Sequence, residues 1–321
     1  MIPRRTFMAG TAALALSEMA SAKSRAFRAI PQRATTRVIV DNDFAGDPDG
    51  LFALAHQLLS PKTRTVLVTS SLLDPTLMPD DLKQRGAATQ GAVVARELIK
   101  RLGAGDPPPV VAGHDNLGAS GLSAAAQAIV DEARRDDPVP LILCCGGPLT
   151  NVAAALRHAP NIAKHMTLIW IGGGAYPDGG WEYNLATDVE AARHVIESSM
   201  IPLTQVPLPA YRQMQYSIAE MTADLRPISP FTEWLYDQFT QPPSFVTLGG
   251  TWPMGDSPPV LFTAISEESS RFEPSPARRI KDDLSYGETL PNVEIRLCTH
   301  IDVRLTFADF LAKLRLHAQR A

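Results

Sequence analysis

Four aspartates, Asp41, Asp43, Asp47 and Asp49, crowd into nine positions early in the chain. Like charges this close repel one another. They are tolerated when fully hydrated or when a cation sits among them. The flanking residues argue against plain hydration. Val38, Ile39 and Val40 read as a buried strand just before the cluster. Gly46 and Pro48 give the loop a fixed shape. Leu51, Phe52, Leu54, Ala55, Leu58 and Leu59 then recur at helical spacing. The loop at the carboxyl end of a buried strand is where open α/β sheets bind ligands, and oxygen-only donors there suit a hard cation such as Ca²⁺.

Two simpler readings of the cluster are weaker. An EF-hand needs a Glu at the twelfth position of a fixed loop, and here a helix has already begun. Asp41-x-Asp43 also suits the nucleophile and acid of a phosphoryl-transfer enzyme of the haloacid-dehalogenase type. That reading needs a later Lys and Asp pair, and the chain offers no convincing set.

The elements that must hold the loop can be read in order. Strands are expected at Thr65–Thr69, Val110–Ala112, Leu141–Cys145, Met166–Ile171 and Ile201–Val206. Helices are expected at Ala87–Leu102, Ala124–Arg135, Thr150–His158 and Asp188–Ser198, with Thr150 and Asn151 able to cap the third. This alternation predicts an α/β fold, an open and mostly parallel sheet flanked by helices. Pro207 to Ser257 is less regular and more helical, as a lid or wall would be. Val260–Ile265 reads as a further apolar helix, Val293–Leu297 as a strand and Arg304–His317 as a closing helix. No internal repeat or low-complexity linker divides the chain, so residues 37–321 are expected to form one domain with a partly helical lid segment.

The chain has 321 residues, with 30 Lys and Arg against 34 Asp and Glu. A nucleic-acid polymer is not an expected partner, because nothing suggests a basic patch or stripe. Arg4-Arg5, an apolar run from Ala9 to Leu16, and Ala20-Ser21-Ala22 resemble a twin-arginine export signal over residues 1–22. Residues 23–36 form a polar lead-in. The apolar run is too short to span a bilayer. The expected location is therefore periplasmic or secreted, with no membrane association once the signal is removed. Of the three cysteines, Cys144 and Cys145 are strand neighbours that point to opposite faces. All three read as buried small hydrophobes rather than a disulfide framework.

Three further stretches make the pattern specific. Asp41 to Asp49 resembles the Asp-rich signature of the inosine-uridine nucleoside hydrolase family. Gly146-Gly147-Pro148-Leu149-Thr150-Asn151 resembles that family's TGPLTN-type segment. Trp181-Glu182-Tyr183-Asn184, with Asp188-Val189-Glu190-Ala191, resembles its AEFN…DPEA segment. Gly255-Asp256-Ser257-Pro258 stands where the family has His-Asp-Pro. The four occur in order between Arg37 and Ile265.

The resemblance implies a Ca²⁺-dependent N-ribosyl hydrolase that cleaves a nucleoside or related ribosyl compound by attack of water at C1′. It assigns metal ligation to Asp43, Asp49, the Gly146 carbonyl and Asp256, with Asp41 beside or behind them. It assigns sugar binding to Glu182 and Asn184. Trp181 and Trp252, in Gly/Pro-rich stretches, are candidates to stack on an aromatic leaving group, while Trp170 is expected in the core. The proton-abstracting base is Asp47, with Asp49 the second choice, because Pro48 interrupts the family's adjacent aspartates. The family's late His is Gly255 here, and its Asn after the second strand is replaced around Ser70 to Leu72. Ribose and cation chemistry therefore look retained while recognition of the base looks rebuilt, with His114 and His300 as substitute proton donors. An assembly of identical subunits is compatible with this reading. The missing His also leaves open a non-catalytic sugar- or nucleoside-binding protein on the same scaffold.

Overall fold

The computed structural model describes residues 30–103, 105–242 and 248–320. The signal expected over residues 1–22 lies outside the described residues, as does the lead-in up to residue 29. A single compact unit runs from Arg33 to Ala321.

Among the described residues, ten strands occur in chain order: β1 (Thr36–Asn42), β2 (Thr63–Ser70), β3 (Val110–Ala112), β4 (Leu141–Cys145), β5 (Thr167–Ile171), β6 (Leu203–Val206), β7 (Gln215–Ser217), β8 (Thr251–Pro253), β9 (Arg271–Ile280) and β10 (Tyr286–His300). Eight of them form one sheet in the order β3-β2-β1-β4-β5-β6-β10-β9. All neighbours are parallel except the last pair, β10 and β9. β7 and β8 form a separate antiparallel ribbon. The chain winds outward through β2 and β3, then reverses and winds the other way from β4. That reversal leaves a crevice beyond the carboxyl ends of β1 and β4, the place where doubly wound sheets bind ligands.

Alternation along the strands sorts side chains onto two buried faces. Val38, Val40 and Cys144 pack with Phe52, Leu98 and Phe310 on one side. Ile39, Leu143 and Cys145 pack with Ile129, Val152 and Leu156 on the other. Burying a side chain such as Phe52 contributes about 1.5–3 kcal/mol. All three cysteines are free and buried.

Most expected elements are present, and the departures have physical causes. Thr150 and Asn151 do not cap the helix Thr150–His158, whose N-cap is Leu149 without a side-chain bond. Thr150 instead donates to Asp188 (2.7 Å), and Asn151 donates to Asp41 (2.9 Å). Asp188 does cap its own helix, accepting from the Ala191 N–H (3.0 Å). The apolar stretch after Pro258 forms one helical turn, Pro258–Val260, and then a wider π-turn, Leu261–Ile265. The hairpin of β9 and β10 extends far beyond the short strand expected at Val293–Leu297. Pro274, Pro276 and Pro291 disguise it in sequence. β9 is the sheet's edge strand, where proline is tolerated, and Pro291 lies where the pairing register shifts.

Candidate active site

β1 delivers the first functional groups because its last residues, Asp41 and Asn42, reach the rim of the sheet while still buried. The chain then turns sharply, with the Gly46 N–H bonded to the Asp43 carbonyl (2.8 Å). Asp47 accepts from the Asp49 N–H (3.2 Å). Asp49 opens the helix Asp49–Leu58, where an acidic side chain complements the helix dipole. From the other end of the chain, the turn after β8 brings in Asp256. Its backbone N–H donates to Asp49 (3.1 Å), and its carboxylate accepts from the Asn42 side chain (2.9 Å). The following turn, Pro258–Val260, has Ser257 as its N-cap, with no side-chain bond.

Two glycines make room for Asn42. A Cβ at Gly146 would run into the Asn42 amide and come within 2.7 Å of the Asp256 carboxyl carbon, and one at Gly50 would meet Asn42 Cγ at 2.8 Å. Gly146 and Gly50 are thus the spaces that let Asn42 bridge to Asp256. In sequence Asn42 reads as no more than a spacer between aspartates. The pairing of two glycines around one amide is its only trace.

A cavity of about 420 Å³ opens over this rim. Asp43, Asp47, Asp49, Gly146 and Asp256 form one side, and Trp181, Glu182, Tyr183 and Asn184 adjoin them. The 207–257 segment also contributes Tyr211, Arg212, Trp252 and Gly255, the last beside the Asp49 carboxylate. Asp41 stands behind this surface. Thr69 (2.6 Å), Asn151 (2.9 Å) and the Cys145 thiol (3.6 Å) donate to its carboxylate. Trp181 is exposed at the mouth, whereas Trp252 is buried edge-on to Phe239 and Trp170 lies in the core, donating to the Gly147 carbonyl. His114 and His300 do not line the cavity.

Glu182 is the N-cap of the short helix Tyr183–Thr187. It accepts from the backbone N–H groups of Gly173 (2.7 Å), Leu185 (2.9 Å) and Asn184 (3.2 Å), and from the Tyr211 hydroxyl (3.0 Å). Asn184 uses its amide protons on the carbonyls of Gly146 (3.1 Å) and Ile171 (2.9 Å), so its side-chain oxygen remains for a ligand. Tyr211 is not among the residues the sequence pattern singles out. Its one signal is its place a few residues beyond the end of a buried strand.

The electrostatics follow from burial. Burial pushes Asp43 and Asp49 well above the ordinary carboxylate range, and repulsion from Asp256 and Asp47 adds to it. Asp256 is raised by burial and by Asp47, against the hydrogen bond its carboxylate accepts from Asn42. Asp41 is pushed up to about 6 by burial, with its three donors opposing. Glu182 is raised by burial, and Tyr211 by burial and by Glu182.

The donor set suits a hard cation. Buried charges are normally paired or bound to metal. Yet Asp43, Asp49 and Asp256 pair with no Lys, Arg or His among the described residues. Three unpaired carboxylates and a backbone carbonyl on one wall match the oxygen chemistry of such an ion. The side chains are not drawn into a ready cluster. Among the described residues no group of three or more His, Cys, Asp or Glu is arranged to hold a metal as it stands.

Residues 38–307 match the family described as inosine-uridine preferring nucleoside hydrolase. The chain belongs to that family. It is an N-ribosyl hydrolase. A pyrimidine-specific ribonucleoside hydrolase of Salmonella arizonae is 29% identical over 227 residues, covering 64% of this chain and 71% of the relative. An uncharacterized protein of Schizosaccharomyces pombe is 29% identical over 226 residues, covering 62% of this chain and 71% of its own length. Among solved structures, a plant nucleoside hydrolase superposes with a TM-score of 0.69 at 16% identity, covering 88% of this chain and 99% of its own. The inosine-uridine preferring nucleoside hydrolase of Bacillus anthracis does so with a TM-score of 0.66 at 17% identity, covering 89% and 100%. Gly255, expected to stand where the family has His, is packed against a tyrosine. A Cβ there would stand 3.0 Å from the Tyr211 ring.

Proposed function

We propose that the protein is an exported, Ca²⁺-dependent hydrolase of ribonucleosides or related ribosyl compounds, releasing free sugar and base. The observation that carries this is the cavity that joins three unpaired buried carboxylates to Glu182 and Asn184. Asp43, Asp49, Asp256 and the Gly146 carbonyl would hold the ion, with Asp41 fixing the β1 rim from behind. When bound, Ca²⁺ would orient the sugar diol and make the attacking water more acidic. Asp47 is the least buried of the four early aspartates and keeps one oxygen clear of the Asp49 N–H, so it serves as the base that takes the water's proton. The Asn184 side-chain oxygen accepts a sugar hydroxyl, and Glu182 would accept another in exchange for the bond from Tyr211. Trp181 lies where it can cover the departing ring, and Trp252 backs the same wall. Export rests on the Arg4-Arg5 leader pattern.

The test is reducing-sugar release from a panel of ribonucleosides by the purified mature chain. Asp43→Ala, Asp256→Ala or chelation should each lower release on the order of 10³-fold. Full activity after any of them overturns the metal assignment. A full-length chain that remains in the cytoplasm overturns the export assignment.

A further inference from the structure

Glu182 reaches the cavity with its hydrogen-bonding capacity already taken. An ionised carboxylate has about four acceptor sites, two on each oxygen. Its Oε2 accepts from the backbone N–H groups of Gly173 (2.7 Å) and Leu185 (2.9 Å). Its Oε1 accepts from the Asn184 N–H (3.2 Å) and the Tyr211 hydroxyl (3.0 Å). Three of these donors are main chain. The Asn184 and Leu185 N–H groups open the short helix that Glu182 caps. Gly173 is itself pinned, because its carbonyl accepts from the Leu208 N–H (2.9 Å). None of the three can leave without undoing a turn. Tyr211 differs. It ends the one-turn helix Leu208–Tyr211, is half-buried and lines the cavity, so rotation of one side chain withdraws its hydroxyl. A ligand hydroxyl therefore reaches Glu182 by taking the place of Tyr211.

The rest of the wall indicates which hydroxyl that is. In a ribosyl hydrolase with the ion on Asp43, Asp49, Asp256 and the Gly146 carbonyl, the reading on which this inference rests, the ring diol lies on the ion. Asn184 donates to the same Gly146 carbonyl (3.1 Å), so its side-chain oxygen belongs to that end as well. The sugar hydroxyl left for Glu182 is the exocyclic one on C5′. Gly255 shapes the same spot. A Cβ there would stand 3.0 Å from the Tyr211 ring, so the glycine leaves the ring its place.

We propose that Tyr211 is a specificity-determining residue that stands in for the substrate's 5′-hydroxyl, so that the site takes 5′-deoxyribosides as well as ribosides. A riboside exchanges the Tyr211 bond for one from its own hydroxyl. A 5′-deoxyriboside leaves the Tyr211 bond in place, and the buried carboxylate keeps its donors. Glu182 is equally satisfied in both complexes. The penalty that a buried acceptor normally imposes on a missing hydroxyl is thereby cancelled. Without the tyrosine hydroxyl the cancellation fails, because a 5′-methyl group cannot supply the donor.

The experiment measures kcat/KM by reducing-sugar release, with Ca²⁺, for uridine and inosine and for their 5′-deoxy and 2′-deoxy analogues. In the parent protein each riboside and its 5′-deoxy analogue are expected within about tenfold of one another. In Tyr211→Phe that ratio should widen about 10- to 100-fold in favour of the riboside, the loss of one hydrogen bond to a buried charge. The ratio to the 2′-deoxy analogue, which alters the diol instead, should be the same in both proteins. A merely structural role of Tyr211 would move both ratios together or neither. A parent that rejects 5′-deoxyribosides by more than about tenfold overturns the inference. So does a Tyr211→Phe variant whose 5′-deoxy ratio equals the parent's. Either result keeps the ribosyl-hydrolase reading, since ribosides are still cleaved. No sugar release from any nucleoside by the parent overturns both.

Discussion

The two ends of one cavity are built on different terms. At the β1 and β4 end, strand termini fix every group. Asp41 is held by three donors, Asn42 is wedged between two glycines, and Asp49 and Asp256 are tied together although 207 positions apart. At the opposite end the wall is a short helix, a two-stranded ribbon and loops, with Trp181 and Arg212 exposed. The first end has little freedom to change without losing the site. The second holds fewer fixed groups, as the exposed Trp181 and Arg212 show. The groups proposed for the hydrolysis thus sit on the rim of the sheet, and those proposed to meet the leaving ring sit on what covers it.

The largest test separates two neighbours on the rigid end. Asp47→Asn should lower kcat by about 10²- to 10⁴-fold, the contribution of a positioned base, while calcium affinity stays within a few-fold of the parent. Asp49→Asn should instead lose calcium affinity, because it removes a buried ligand and leaves Asp256 to bond a weaker acceptor. Steady-state kinetics with a calcium titration of each variant distinguishes them. The reverse pattern would make Asp49 the base and Asp47 the ligand.

A second test contrasts two glycines, one packed tightly against the carboxylate wall and one facing Tyr211. Gly146→Ala would drive its Cβ into the Asn42 amide and against Asp256, so calcium affinity should fall by about 10- to 100-fold, as when support behind a ligand is lost. Gly255→Ala brings its Cβ to 3.0 Å from the edge of the Tyr211 ring, which borders the cavity, and only to ordinary contact, 3.4 Å, with the Asp49 carboxylate. Its calcium affinity should fall less than about tenfold, and KM should rise less than about tenfold. Calorimetric titration of both variants checks this. Equal losses would remove the distinction between the two positions.

The same contrast explains what was legible in the sequence. The rigid end announces itself because a buried strand, an acidic loop and a helix have strong periodic signatures. Asp43, Asp49, Gly146, Glu182 and Asp256 could therefore be singled out without coordinates, and all five line the cavity. Asn42 could not, since its importance lies in a bond across 214 positions. Tyr211 could not either, because its role depends on the fold of an irregular segment. The capping expectation for Thr150 and Asn151 failed for a related reason. Local hydrogen bonding was outcompeted by Asp188 and Asp41, partners that only the tertiary structure brings near. The long β9–β10 hairpin was hidden by prolines that an edge strand accommodates.

The smallest effect is thermal and tests the rigid end as a whole. Asp41, Asp43, Asp49 and Asp256 all have carboxyl groups raised in the folded state, chiefly by burial. A raised acid holds its proton in the folded chain where the unfolded chain has lost it. Its stabilising effect is therefore full below the unfolded value near 4 and is lost as pH rises through the folded value, about 6 for Asp41. His56 has the opposite sign. Burial pulls it down to about 4, so its contribution is full above about 6.5 and is lost as pH falls toward 4. His56 lies away from the cavity and acts equally with or without the ion, so the calcium-dependent difference isolates the carboxylates. Protons and Ca²⁺ compete for the same oxygens. Calcium at about a hundred times its dissociation constant should raise Tm by roughly 5 °C at pH 8, and by less than half of that at pH 5. Differential scanning calorimetry at the two pH values measures it. An equal rise at both would place the ion on groups that do not titrate in this range, away from the aspartate wall.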